Sequence, residues 1–373
     1  MKKSLFLCLI AAAMSFSMLS CKKTTQSDSE NTAVTTEDTS TKTNAVTEAV
    51  CASIGWASQN GGTTGGGNAA PTEVSTYDAL RAAIQNTNVK VIQVNGIINF
   101  PLGGRIPFQN QTGKTIFGSN GAKLVSSDQS KENSGLIYLR SCKNIVIRNL
   151  IFDGPGAFDT DGQDNFTIDG CTNLWIDHCE FRDGVDGNLD FRNASDFVTV
   201  SYCKFTYLKA PKTGGPGGVA DHRFSDLIGS SDTVFADRGH YRITFVRCWW
   251  AQGCVSRMPR VRFGKIHLLN NLFNSTVSKS CVQAGFEADI LVESNLFENV
   301  KNPIDLLDFS ATAVSLVTNL MPGVTGTTTG INPGRVFTPP YILKKIAAAN
   351  VKATITASNG AGATLAGNSC STL

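Results

Sequence analysis

The sequence predicts an all-β chain wound as a solenoid of parallel strands, on three observations. The first is an eight-residue unit that recurs through the middle and always ends in an aromatic residue: IVIRNLIF (145–152), LWIDHCEF (174–181), VTVSYCKF (198–205), ITFVRCWW (243–250), IHLLNNLF (266–273) and ILVESNLF (290–297). The second is the period. Successive aromatic ends lie 29, 24, 45, 23 and 24 residues apart, which is the spacing of stacked coils. The third is a fixed column two residues before each of the last five aromatics: Cys179, Cys203, Cys248, Asn271 and Asn295. Parallel strands lie about 4.7–4.9 Å apart, so equivalent side chains sit on one another from coil to coil.

Each unit opens on β-branched or apolar residues and is bounded by turns, so it is expected as one strand per coil. The 45-residue step is then two coils, or one coil carrying a long insertion. Stacked Asn side chains pass hydrogen bonds along the column, and the aromatics fill the core. These columns are architecture. They say nothing of chemistry.

Taken in order from the start, residues 1–21 are expected to be a signal peptide. Lys2 and Lys3 precede an apolar run and then small residues, the layout of a secretory leader. Leu19-Ser20-Cys21 resembles a bacterial lipobox, which makes Cys21 the expected lipidation site. Residues 22–50 are rich in Thr, Ser and acids and lack aromatics; such a stretch cannot bury enough surface to order itself and is expected as a tether. Residues 51–373 form the solenoid domain. Ser75-Thr76-Tyr77-Asp78 resembles a capping box before a short helix over 79–85, whose Leu80 and Ile84 form one apolar stripe. A short helix there covers the open first coil, as solenoid ends require. The Gly-rich run 61–67 lacks the Lys and the preceding strand of a phosphate loop.

The net charge of +3 on 373 residues gives no argument for nucleic acid, although a local basic cluster still suits an acidic polymer. No other apolar run approaches membrane-spanning length, so membrane contact is expected only through a lipid at Cys21. No oligomer interface is legible, and a monomer is expected. Of the eleven cysteines, nine lie in the body, an odd number that leaves at least one free thiol. Cys179 and Cys203 are close enough in register for a disulfide, and are equally small apolar fillers, the preferred reading. A Cys51–Cys370 bond is only a guess. No Cys/His set has zinc spacing.

Two acidic groups and one basic segment carry the chemistry. Asp159, Asp161 and Asp164 lie in GAFDTDGQDNF, and Asp186 and Asp190 in DGVDGNLD. In an extended segment Asp186 and Asp190 share a face but stand about 13 Å apart. Joint ligation of an ion therefore needs a bend, which Gly187 permits. Arg257, Arg260 and Arg262 lie in SRMPRVRFG ahead of a repeat strand, and arginine binds carboxylates in bidentate fashion. Asp177-His178 could pass for half of a catalytic dyad, but it sits inside a repeat strand and is expected to be scaffold.

These blocks resemble the pectate lyases of the pectate/pectin lyase superfamily. GWASQNGGTTGGGN (55–68), TNLWIDHCEF, DGNLD, SDFVTVSYCKF, LIGSSD (227–232) and RMPRVRFGKIHLLNNLF occur in the family's order over about residues 54–300. The resemblance implies a right-handed parallel β-helix and calcium-assisted β-elimination of polygalacturonate; the leader and the lipobox make the expected location that of a surface or outer-membrane lipoprotein, or otherwise of a secreted protein. It implies Arg257 as the base that takes the C5 proton, Arg262 as a holder of substrate carboxylate, and Asp164, Asp186 and Asp190 as calcium ligands. Two positions depart from the pattern. The second acid, two residues before Asp164, is replaced by Gly162, with Asp161 one residue further off. The lysine that precedes the Leu-Ile-Gly turn is replaced within 221–226, where Arg223 or His222 takes its place, or Lys209 or Lys212 reaches in from the inserted loop. Other readings are a lyase for esterified pectin, a glycoside hydrolase on the same coil, and a glycan-binding protein without catalysis. The intact arginine block argues against the last two.

Overall fold

The computed structural model describes residues 51–366 and residue 369. The expected leader, tether, lipidation site and Cys370 lie outside the described residues. Every ladder between the named strands is parallel, and the strands stack into three sheets. Sheet I has eight strands from Ile106–Gln109 to Ile304–Leu306. Sheet II has ten, from Thr72–Val74 to Ala313–Val317. Sheet III has eight, from Ile97–Asn99 to Leu296–Phe297. Each of eight complete coils contributes one strand to each sheet, with Thr72–Val74 and Ala313–Val317 extending sheet II at its two ends, which makes the chain a parallel β-helix.

The recurring unit is therefore two strands, not one. Its first part is a sheet II strand (Lys143–Arg148, Thr172–Asp177, Asp196–Ser201 and onward) and its end is a short sheet III strand (Ile151–Asp153, Glu180–Arg182, Lys204–Thr206 and onward). Between them the backbone turns sharply at one residue in the left-handed region: Asn149, His178, Tyr202, Arg247, Asn270 and Ser294 have φ between 48° and 55°. Asn and His among these types visit that region more readily than Tyr, Arg or Ser, so at Tyr202, Arg247 and Ser294 the bend is held by the coil stack and not by local preference. The column residue follows directly. Asn271 Nδ2 donates to Asn295 Oδ1 at 2.9 Å, and Asn295 Nδ2 to Asn319 Oδ1 at 3.0 Å.

The core is the hollow of the coil. Ile145, Leu174, Val198, Ile243, Ile266 and Ile290 stand in register and are buried. Phe152, Phe181, Phe205, Trp250, Phe273 and Phe297 stack face to face with centroids 4.3–5.6 Å apart. Phe205 pairs directly with Trp250, so the 45-residue step is one coil with an insertion. Cys179 and Cys203 are free and buried, fillers as preferred; Cys51 is disulfide-bonded.

The first coil is covered by a helix over Tyr77–Gln85, with Leu80 and Ile84 buried. Its N-cap is Thr76, whose hydroxyl accepts from Ala79 N at 3.3 Å; the box expected on Ser75 begins one residue too early. The buried Lys114 closes the other end, its Nζ donating to the carbonyls of Ala83, Ile84 and Asn86 at 2.8–3.1 Å. The Gly-rich segment lies across the outside of sheet II. Trp56 N and Ala57 N donate to the hydroxyls of Thr244 and Thr199, and a Cβ at Gly55 would stand 2.7 Å from both oxygens. The residues after Leu320 return over the same face, where Tyr341 and Thr244 share a 2.6 Å hydrogen bond. Sheet II is thus strapped on its outside, and the inserted loops gather where sheet III passes into sheet I.

Candidate active site

Gly187 was expected to permit a bend joining Asp186 and Asp190; the carboxylates that converge over it are those of Asp164 and Asp190. Asp164 lies in the turn before the sheet I strand Phe166–Asp169, and Asp190 in the next sheet I strand, Leu189–Arg192. A Cβ on Gly187 would lie 2.8 Å from Asp164 Oδ1 and 3.2 Å from Asp190 Oδ1, so the space above this glycine belongs to carboxylate oxygens. Asp164 Oδ2 accepts from Thr167 at 2.9 Å, while its buried Oδ1 has no partner among the described residues. Asp190 Oδ1 accepts from Leu227 N at 2.9 Å.

Burial and the neighbouring Asp186 push the Asp164 carboxyl up to about 6. Burial and then Asp164 push Asp190 well above the usual carboxylate range, and Arg257 works against that rise. Like charges crowded out of water disfavour ionisation together, and a cation between them would relieve both.

Asp186 is the most accessible of the three, and its Oδ1 is 2.5 Å from His222 Nε2. His222 is held in turn against the Phe224 ring, 4.4 Å between centroids. Among the described residues no three His, Cys, Asp or Glu side chains form a ready-made metal set. Asp164 and Asp190 fit a hard cation through the orphaned oxygen, and Asp186 fits once His222 releases it. Asp161 stands apart, exposed and 3.6 Å from Lys131. Asp159 is buried and accepts from Val219 N, which fastens the insertion down. At Gly162 a Cβ would lie 2.6 Å from Val185 Cγ1, so Val185 fills the place of the missing acid.

Arg257 faces this cluster. Its guanidinium lies over Phe224, 4.5 Å from the ring centroid, and makes no ion pair among the described residues. It is half-buried at a left-handed bend, φ 59°. Arg260 beside it is held below the usual guanidinium range by burial and then by Arg262 and Arg257. The three arginines form a crowded cationic edge.

The other expected substrate contacts are already engaged. Arg262 donates to Asp232 at 2.5 Å and to Gly229 O at 2.7 Å, which ties it to the Leu-Ile-Gly turn. Arg223 is in a bidentate pair with Asp221 at 2.7–2.8 Å. Lys209 bonds Gly154 O and pairs with Asp153, and Lys212 lies over Phe158. Of the candidates for the missing lysine's place, His222 is the one in contact with a site acid. Asp177 and His178 are buried on the far side, with Ser201 donating to Asp177 at 2.6 Å and Tyr202 stacked on His178; they are scaffold.

Two residues escaped sequence reasoning. Arg105 donates to Thr167 at 2.8 Å and to Gln163 at 2.7 Å, bracing the residues on either side of Asp164. Phe224 underlies both Arg257 and His222. Neither lies in a recognisable motif; only the coil stack brings them in.

An acidic pair facing an unpaired arginine, on the outside of a parallel β-helix, is an arrangement suited to an acidic polymer. Comparison with known proteins is specific. The family model described as pectate lyase matches residues 8–364. The chain is 30% identical over 315 residues to the probable pectate lyase B of Aspergillus flavus, covering 81% of this chain and 86% of the relative. It is 32% identical over 293 residues to pectate lyase E of Dickeya chrysanthemi, covering 68% and 72%. The solved pectate lyase of Bacillus sp. N165 in complex with trigalacturonate superposes with a TM-score of 0.66 at 22% identity, over 84% of this chain and 99% of that one. The chain belongs to the pectate lyase family, and is a polysaccharide lyase acting on pectate.

Proposed function

We propose that the chain cleaves polygalacturonate by calcium-assisted β-elimination, with Arg257 as the base. The observation that carries this reading is the unpaired Arg257 guanidinium beside Asp190 and over Phe224. A lyase of uronates must remove C5–H, which is acidic only because it is α to the carboxylate. Arg257 takes that proton, the C5–H electron pair forms the C4–C5 double bond, and the C4–O bond breaks with its oxygen taking a proton from solvent. An arginine base must be relieved of its own proton.

Asp164, Asp186 and Asp190 are the residues that would hold calcium, which when bound stabilises the charge developing on the substrate carboxylate. Arg262 sits on the same face to receive a carboxylate, exchanging Asp232 for substrate. His222 takes the place of the family's lysine, and its contact with Asp186 makes it responsive to the cation. Arg223, closed on Asp221, takes part only if that pair opens. The body at 51–373 is proposed as the catalytic domain of an exported lipoprotein, with 1–21 as its leader, Cys21 its anchor and 22–50 its tether.

The test is ultraviolet absorbance of polygalacturonate mixed with residues 51–373, with calcium and then with chelator. The conjugated product absorbs, so a rise that chelator abolishes is expected. New reducing ends without absorbance would mean hydrolysis, and neither signal would mean binding alone.

A further inference from the structure

We propose that Asp226, inside the coil and hydrogen-bonded to Trp250, is a positioning residue that fixes Arg257 relative to the acid Asp190. The inference rests on the reading of Arg257 as base and Asp190 as calcium ligand, and it assigns a buried acid which that reading leaves without a role.

Asp226 stands where an apolar residue is expected. Along the inward face of sheet I the register runs Ile106, Ile137, Phe166 and Leu189, all fully buried. Phe191 pairs with Ile228, so the residue that follows Leu189 in this row is Asp226, two before Ile228. Its side chain is fully buried too. A carboxyl there is costly unless it is hydrogen-bonded. Trp250 supplies that bond, its Nε1 donating to Asp226 Oδ2 at 2.7 Å. Oδ1 has no partner among the described residues. Burial pushes the carboxyl well above the usual carboxylate range, which makes it a neutral acid at neutral pH.

Trp250 is the exception in its own column. Phe152, Phe181, Phe205, Phe273 and Phe297 fill the equivalent places, and of the six only the indole carries a donor. Two departures from the apolar pattern, in different sheets, thus meet each other. Core packing alone requires neither.

The backbone beside this anchor holds both halves of the site. Asp226 N donates to Arg257 O at 2.7 Å, and Arg260 N donates to Asp226 O at 2.9 Å. The next amide, Leu227 N, points to the preceding coil and donates to Asp190 Oδ1 at 2.9 Å. Successive N–H groups therefore grip the base's main chain on one side and the acid's carboxylate on the other. The strand that begins here, Leu227–Ile228, is only two residues long, so its ladder gives little hold by itself. Arg257 moreover sits at φ 59°, a conformation that the surroundings must impose. The Asp226–Trp250 bond ties this short segment to the core.

Three variants test the assignment. Asp226→Asn keeps the size and an acceptor for the indole, Asp226→Leu keeps the row apolar without the acceptor, and Trp250→Phe restores the column's usual ring without the donor. In the Leu and Phe variants kcat on polygalacturonate is expected to fall about tenfold with KM within about twofold, and Asn to keep kcat within about twofold, because small misplacements of reacting groups act on rate. The Leu/Phe double variant should be no slower than either single one, since both remove the same bond. Deuterium exchange at the amides of Asp226 and Leu227 should quicken in the Leu and Phe variants and not in Asn. Unchanged kcat in Trp250→Phe, whose ring the column already accommodates, overturns the assignment, and so does an Asn variant as slow as Leu. Should the wild-type protein show no elimination, the lyase reading fails separately. Exchange then decides the positioning role, which is overturned if the two amides exchange equally in wild type and Trp250→Phe.

Discussion

His222 places Nε2 2.5 Å from Asp186 Oδ1, and this contact occupies the most accessible of the three site acids. A cation that uses Asp186 Oδ1 meets the imidazole there, and the two compete for that carboxylate oxygen. Replacing His222 with Ala should therefore tighten calcium binding about fivefold, the scale of one partly exposed ion pair, as read by calorimetry. Unchanged or weaker binding would mean that His222 does not guard the site.

Arg257 is predicted to carry the proton transfer. Arg257→Lys should lower kcat by a factor of about 10³, the scale of a general base, and leave the binding of trigalacturonate within about threefold. A variant that keeps its turnover would move the base elsewhere, with Arg260 the next group to test.

Asp164 couples the site to stability. Its carboxyl is raised from 3.8 to about 6 in the folded chain, by burial and then by Asp186. A raised acid binds its proton more tightly when folded, so this contribution is full below pH 3.8 and is lost as pH rises through about 6. Without divalent cation, the melting temperature should fall between those limits by the equivalent of about 3 kcal/mol. Calcium should restore it at neutral pH. Asp164→Asn should flatten that fall, and a fall that persists in the variant would assign it to another group.

Gly162 tests why the second acid is missing. Its Cβ would lie 2.6 Å from Val185 Cγ1, so Gly162→Asp alone should cost about 1–3 kcal/mol by overpacking and should not improve calcium affinity. Adding Val185→Ala opens the space, and the double variant should bind calcium more tightly than wild type. Tighter binding in the single variant would show that Val185 yields without help.

Lys114 anchors the covering helix through three carbonyls. Lys114→Met should destabilise the fold by about 2–3 kcal/mol in urea, since it strands buried acceptors, while activity per folded molecule stays the same. A loss of specific activity in the folded variant would extend the helix cap's influence to the site.

The period, the aromatic column and the Cys/Asn ladder were all legible in the chain, because each repeats at the coil length. The three strands per coil were not. The eight-residue unit hides a bend at Asn149, His178, Tyr202 and their equivalents, and five different residue types there give no common turn signal. Only the stack of neighbouring coils forces Tyr202 or Arg247 into the left-handed region. The N-cap was misplaced by one residue for a similar reason: Ser75 and Thr76 are equally good caps, and packing of Leu80 and Ile84 onto the first coil chose Thr76.

At the site, residue types fixed what kind of chemistry was available, and tertiary structure decided which residues take part. Acids, arginines and their order along the chain point to an acidic polymer. The resemblance gave Asp164 as a ligand and left open whether Asp161 supplies the second acid, and it offered both Arg223 and His222 for the place of the lysine. The fold separates them, because burial beside Gly187 perturbs Asp164 while Asp161 remains in solvent with Lys131, and because Asp221 closes on Arg223 while His222 turns to Asp186. Arg140, Arg192 and Arg262 share one outward row of sheet I only through the register of the coils, which sets residues 52 and 70 positions apart in the chain two rungs apart when parallel strands stack.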